Sequence, residues 1–411
     1  MVLDPAAARA LDDADPLARF RDRFVVDDPS LVYLDGNSLG RLSHDALAAV
    51  TETVTRQWGG ELIRAWDHWL DLPERIGDRI AEVSLGARPG EVVVADSTTV
   101  NLYRLAVAAL DARSDRRVIV TDRANFPTDR YVLEGIAAAR GAEIRWIETD
   151  PVEGVRPADV AAALAAGPAA DVALVTFSAV DYRSAALADI GGISALAHDA
   201  GALALWDLSH AVGSIQLDLE RDRVDLAVGC TYKYLNGGPG SPAFLYVRRD
   251  LQDALRNPIQ GWFGQRDQFA MGAAYDPAPG IRRWLVGTPP IVALAGVAAG
   301  VELVAEAGIA VIRAKATALS ALAVDLFDAW LAPCGFTLGS PRDAARRGAH
   351  VTIRRADAQA LARALIGHGV VPDFRAPDGI RLGLSPLTTR FADVERGLDR
   401  LRQLASRGTP A

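Results

Sequence analysis

The residue whose type and setting first suggest chemistry is Lys233. Only two of the 44 basic side chains are lysines, Lys233 and Lys315. Arginine cannot supply a reactive amine, because its guanidinium stays protonated in proteins. Lys233 stands between Tyr232 and Tyr234, after the strand-like run DLAVG (225–229) and before the glycine cluster NGGPG (236–240). Upstream, Asp207 ends the run ALALWD (202–207), and His210 follows three residues later.

An amine, an acid and an imidazole in this order meet the needs of a pyridoxal phosphate site. A lysine that forms a Schiff base with this cofactor requires an acid at the pyridine nitrogen, because a protonated ring withdraws electrons from a substrate carbanion. Asp207 can be that acid, and His210 can hydrogen-bond the cofactor's hydroxyl or phosphate. Taken singly, Asp207 reads as readily as a turn cap and His210 as a core histidine; D-x-x-H followed by Y-K favours the joint reading. A phosphate needs donors at a helix N-terminus, which STTVN (97–101) supplies after the run EVVVA. FPTD (126–129) adds an aromatic ring able to stack on a pyridine, with an acid beside it.

The elements that must position these residues alternate. Strand runs at 91–95, 117–121, 143–147, 171–177, 202–207, 225–229 and 243–247 are separated by helical stretches near 99–111, 127–140, 157–166 and 189–200. That is the pattern of βαβ units and a mainly parallel seven-stranded sheet, whose ligands lie at the carboxyl ends of the strands. After Gly308 the pattern changes to one long helix through Trp330, then short strands and helices near 357–367 and 391–405, a smaller α+β unit. The expected division is 1–60 packing with the small domain, 61–308 as the large cofactor-binding domain, and 309–411 as the small domain. Lys315, on the long helix without a partner motif, is expected on a solvated face.

Composition narrows the function classes. A formal charge of −8 without a basic block gives no nucleic-acid footprint. The longest apolar run, 291–301, is too short to span a bilayer and reads as a buried helix, and the N-terminus lacks a secretory pattern. Two cysteines make neither a disulfide framework nor a four-ligand zinc site, so a cytoplasmic protein without a metal is expected. No H-E-x-x-H, Walker loop, G-x-G-x-x-G or G-x-S-x-G motif is present.

Beyond these residues, the sequence resembles the kynureninases, within the class V aminotransferase group of fold type I pyridoxal phosphate enzymes. The resemblance runs through YLDGNSLG (33–40), LIRAW (62–66), TVNLYRL (99–105), NFPTD (125–129), WDLSHAVG (206–213), VGCTYKYLNGGPG (228–240), GWFG (261–264), GTPPI (287–291), DFRAP (373–377) and GIRLGLSPL (379–387). It implies an α/β fold of the type I transferase architecture and pyridoxal 5'-phosphate as cofactor. Lys233 would be the Schiff-base lysine, Asp207 the pyridine-nitrogen partner and Tyr232 a proton shuttle or a phosphate ligand. Thr98, Thr99, Asp129, Ser178 and His210 would be further cofactor contacts, with Phe126 stacked on the ring. Trp262 and Thr288 would reach the cofactor from a second subunit, making a homodimer. Arg381 would hold the substrate carboxylate, with Ser38 and Trp66 in segments lining the substrate pocket.

The reaction so implied is hydrolysis of the Cβ–Cγ bond of L-kynurenine or 3-hydroxykynurenine, giving anthranilate or its 3-hydroxy form and L-alanine. This chain departs from the common pattern at Ala179, Asp181 and Ala185 of SAVDYRSA (178–185), at Gln265 and at Thr388. A modified kynurenine or another amino acid is therefore an alternative substrate. A desulfurase would need a reactive thiol, for which Cys230 and Cys334 look too buried; a silent binding protein would not need Lys233, Asp207 and Arg381 together.

Overall fold

The computed structural model describes residues 5–406; residues 1–4 and 407–411, the outer ends of the first and last expected units, lie outside it. Its strands in chain order are β1 (Val32–Tyr33), β2 (Val92–Val94), β3 (Val118–Asp122), β4 (Glu143–Ile147), β5 (Val172–Ser178), β6 (Leu203–Asp207), β7 (Leu226–Gly229), β8 (Phe244–Val247), β9 (Thr337–Leu338), β10 (His350–Arg354), β11 (Val370–Val371), β12 (Asp373–Arg375) and β13 (Gly379–Gly383).

All seven expected large-sheet strands form, in the order β2-β8-β7-β6-β5-β3-β4. Only β8 opposes the rest, pairing antiparallel with both β2 and β7. The runs are apolar on both faces because helices cover both faces of the sheet, as the wholly buried β2, β3 and β6 show. The order reverses at β3, so the loops after β3, β5, β6 and β7 open towards one edge.

The small sheet, β12-β13-β10-β9, is antiparallel and packs against the helices Ala358–Gly367 and Phe391–Ser406. The segment before residue 60 is shared between the two cores. Leu17, Phe20 and Phe24 join the large-domain core, whereas Ala8, Val32 and Leu34 join the small one. Strand β1 pairs with β11, and the Asp12 carboxylate caps Phe391–Ser406 by accepting the Phe391 and Ala392 amides. The loop after β1 then ties the halves together: the Gly383 amide donates to Leu34 O at 2.7 Å and the Gly40 amide to Tyr232 O at 2.8 Å. Gly40 must be glycine, since a Cβ there would lie 2.4 Å from Lys233 O and from Asn236 Oδ1.

Lys315 corrects its expectation. It lies on the buried face of the helix Ile309–Leu326 with Ile312, Ala316 and Leu319, and its ammonium pairs with the Asp15 carboxylate at 2.8 Å. Helical periodicity places it on that face, but only the N-terminal segment folding over the helix removes it from water. Burial pushes its pKa down, against the Asp15 charge. Asp15 also accepts from the Leu17 amide and from Arg21. Removing one partner leaves a buried charge short of compensation, so Lys315→Met should destabilise the protein by about 3 kcal/mol. The double variant Asp15→Asn/Lys315→Met should recover at least half of that loss, read as the thermal unfolding midpoint.

Candidate active site

Lys233 lies in the loop after β7 and opens into a cavity of about 380 Å³ at the carboxyl edge of the large sheet. Its Nζ is 3.2 Å from His210 Nε2, in hydrogen-bond contact, and 5.9 Å from the centre of the Tyr232 ring. Burial, and then the Lys233 charge, push the His210 imidazole well below its ordinary pKa, which leaves it a neutral acceptor for that amine.

Asp207 closes the cavity floor at the end of β6. One oxygen accepts the Ser209 amide at 2.8 Å, so the turn-cap reading is also true of it. Asp129, in the first turn of the helix Pro127–Arg140, is buried beside it. Burial and the Asp207 charge push Asp129 well above the carboxylate range, while Lys233 opposes the shift. Two carboxyl groups at the cavity floor therefore face a single nearby amine.

The remaining expected cofactor contacts divide into two sets. Thr98 and Thr99 line the cavity at the start of the fourteen-residue helix Thr98–Asp111, capped by Ser97 Oγ on the Val100 amide at 3.3 Å. Phe126 also lines it, set edge-on to Tyr182 at 5.3 Å, and Ser178 Oγ donates to Asn125 Oδ1 at 2.8 Å. Trp66, Trp262 and Thr288 do not line this cavity. Trp66 packs on Phe263 at 5.8 Å, Trp262 meets the same ring edge-on at 4.6 Å, and Thr288 is exposed. The expectation that Trp66 belongs to the pocket around Lys233 therefore fails within a single chain, because its helix turns it towards the Trp262 patch.

Arg381 approaches this region from the small sheet. It is buried on β13 and donates to Tyr182 O at 2.6 Å, to Ser38 Oγ at 2.9 Å and to Asp373 Oδ2 at 2.6 Å. Tyr182 links the two, lining the Lys233 cavity and accepting from Arg381 through its carbonyl. Asp35, beside this network, is pushed up to about 6 by burial. Sequence reasoning missed Tyr182, Asp373, Asn37 and His350. Three of these lie inside motifs already read, but a motif does not say which of its side chains point inward.

The departures sort by place. Asp181 is half-buried and accepts the Arg183 and Ser184 amides, which shapes the loop that carries Tyr182. Burial and Asp181 together push the neighbouring Asp122 up to about 7. Ala179 is buried, and its amide donates to Asp207 O. Ala185 has φ +65°, the left-handed region where glycine is favoured. Gln265 bonds to Ala274 and Asp276 in an exposed loop, and Thr388 lines a different pocket beside Arg41 and Arg390.

A lysine over a buried acid pair, facing a helix N-terminus across the carboxyl edge of a mainly parallel sheet, defines a pyridoxal phosphate enzyme of fold type I. Solved structures agree in fold: a cysteine desulfurase from Thermococcus onnurineus superposes with TM-score 0.81 at 18% identity, covering 95% of this chain and 98% of that one. One from Escherichia coli gives 0.80 at 16%, covering 99% of each. The kynureninase C-terminal domain family matches residues 312–401. The kynureninase of Pseudomonas fluorescens is 41% identical over 97% of this chain and 95% of its own length, and that of Burkholderia pseudomallei 41% over 97% and 94%. The chain belongs to the kynureninase family, pyridoxal-phosphate-dependent hydrolases that act on a carbon–carbon bond.

The residues present fit that cofactor. The paired carboxyls at Asp129 and Asp207 suit a protonated ring nitrogen, the helix start at Thr98 suits a phosphate dianion, and Lys233 offers the amine. Borohydride reduction of the yellow holoenzyme should fix the cofactor to Lys233 and to no other residue, as read by peptide mass. Lys233→Ala should leave no cofactor covalently retained after the same treatment and denaturation.

Proposed function

We propose that this chain hydrolyses the Cβ–Cγ bond of L-kynurenine or a ring-substituted kynurenine, releasing the anthranilate and L-alanine. The observation that carries the reading is the hydrogen bond from the Arg381 guanidinium to Tyr182 O, since Tyr182 itself lines the Lys233 cavity. An α-amino acid whose amine reaches Lys233 has its carboxylate directed to a guanidinium suited to holding it in two-point contact.

When bound, pyridoxal phosphate supplies an electron sink for the carbanion left at the substrate's Cα. Lys233 Nζ holds the cofactor in the resting enzyme and, once freed, takes the Cα proton, with neutral His210 accepting a hydrogen bond from the amine. Asp207 and Asp129 hold the ring nitrogen protonated. Thr98 and Thr99 would hold the phosphate and Phe126 would cover a ring face, while Ser178 beside them donates to Asn125 Oδ1. Burial pushes the Tyr232 phenol up, so it stays a neutral donor for the proton that the alanyl carbon acquires after cleavage. Neither described cysteine offers a desulfurase's mobile thiol: Cys230 is buried with its pKa raised, and Cys334 Sγ bonds to Trp330 O.

The active unit in this reading is a homodimer with shared sites. Its support is a set of large apolar side chains left exposed near Trp262, namely Phe269 and Met271, and an apolar groove of about 650 Å³ beside Leu42, Leu47 and Val292. Trp262, Thr288 and Trp66 would then serve the partner's cavity. A cytoplasmic location fits two free thiols.

Incubation with L-kynurenine should release fluorescent anthranilate, and failure with every kynurenine of a ring-substituted panel would refute the substrate class. Arg381→Lys should raise KM at least about tenfold, since a point charge replaces a bidentate fork. Lys233→Ala and Trp262→Ala protomers, each impaired alone, should regain about one quarter of full activity when mixed and re-equilibrated, because half the dimers carry one intact site.

A further inference from the structure

His350 takes no part in the reading above, yet it is completely buried and both its ring nitrogens lack a well-formed hydrogen bond. The Asp181 carbonyl bears on the ring without meeting hydrogen-bond geometry. Buried polar groups are normally paired, and one that is not calls for an occupant.

The register of the small sheet says where the ring points. His350 faces Gly383 across β10 and β13, and Thr352 faces Arg381, so His350 and Arg381 share one face of the sheet. That face looks onto the large domain, where the His210 ring lies 5.5 Å from that of His350. Gly383 has no side chain because Asn37 fills its place; a Cβ would lie 1.9 Å from Asn37 Oδ1. The Asn37 amide is buried without a partner as well, and so is Arg381 Nε.

The charges acting on His350 are mostly positive. Arg381 and Arg375 come from the small sheet, and Lys233 and His210 from the loops of the large domain. Asp373 pairs with both arginines, and Asp35 bears on Arg381. Burial first, and then Arg381, Lys233 and Arg375, hold the His350 imidazole well below its ordinary pKa. An arriving carboxylate would offset that field and offer an acceptor to the unpaired ring.

We propose that His350 is a substrate-binding residue: a ring nitrogen donates a hydrogen bond to the carboxylate held by Arg381, and the ring takes up a proton from solvent as that carboxylate arrives. The proposal rests on the reading of Arg381 as the carboxylate site. Its sign follows from the field: neutral before binding and cationic after, the ring makes carboxylate binding tighten as pH falls from about 8 to about 6.

The test titrates holoenzyme with L-alanine and with L-alaninamide, which lacks the carboxylate, reading the cofactor's visible absorbance and the proton uptake by calorimetry in buffers of different ionisation heat. Wild type should take up more protons with L-alanine than with the amide. His350→Gln, which can donate but not titrate in this range, should lose that excess and weaken L-alanine about tenfold while leaving the amide unchanged. Equal uptake with both ligands in the wild type, or unaltered L-alanine affinity and uptake in His350→Gln, overturns the proposal. Arg381→Lys separates the two readings: if it leaves L-alanine affinity intact the Arg381 assignment fails, whereas weakening there but not in His350→Gln removes only His350.

Discussion

Two carboxyl groups buried side by side, Asp207 and Asp129, set the terms for the rest of the active site. Burial and the Asp207 charge push Asp129 well above the carboxylate range, and the Lys233 amine opposes that shift. Such a floor is costly for an empty protein and well matched to a cationic ring nitrogen above it. Its two acids come from different elements, a strand end and a helix start, which only the carboxyl edge of a parallel sheet brings together. The adjoining strands β5 and β7 deliver Ser178 and Lys233 to the same edge for the same reason.

The second half of the site belongs to a different sheet with the opposite electrostatic character. Where the cofactor cavity has an excess of acid at its floor, the inward face of β10 and β13 carries Arg381, with Arg375 close by on β12. The loop 34–40 holds the two halves in register, bonded to Gly383 on one side and to Tyr232 on the other. The N-terminal segment continues that bracing through Asp12 at a helix start and Asp15 on Lys315. Polar groups thus hold the two cores together at points where an apolar contact would permit several alignments.

Much of the cofactor site was legible because its residues follow strands. The alternation of apolar runs with helical stretches located β3, β5, β6 and β7 to within a residue or two, and Asp207 and Lys233 stand at or just past two of those ends. Thr98 and Phe126 were legible for the same reason, as helix-start residues after strands. Lys315 was mistaken for a surface residue and Trp66 does not line the Lys233 cavity of its own chain, because each depends on which segment packs over its helix. His350 gave no signal at all: one of six histidines, inside an ordinary strand run, with nothing nearby in sequence to mark it.

The amino-acid sequence on its own determined the layered α/β architecture, the placing of Asp207 and Lys233 at or just past strand ends, and the family to which the chain belongs. These follow from periodicity and from residues close together along the chain, where the backbone dictates geometry. Only the tertiary structure decided that Asp129 shares its burial with Asp207, that Arg381 is already engaged by Ser38, Tyr182 and Asp373, and that His350 lies unpaired beside it. Those facts are set by long-range packing of two cores and by the water it excludes. In that environment the same side chains acquire charges and unmet hydrogen bonds that their positions in the sequence do not reveal.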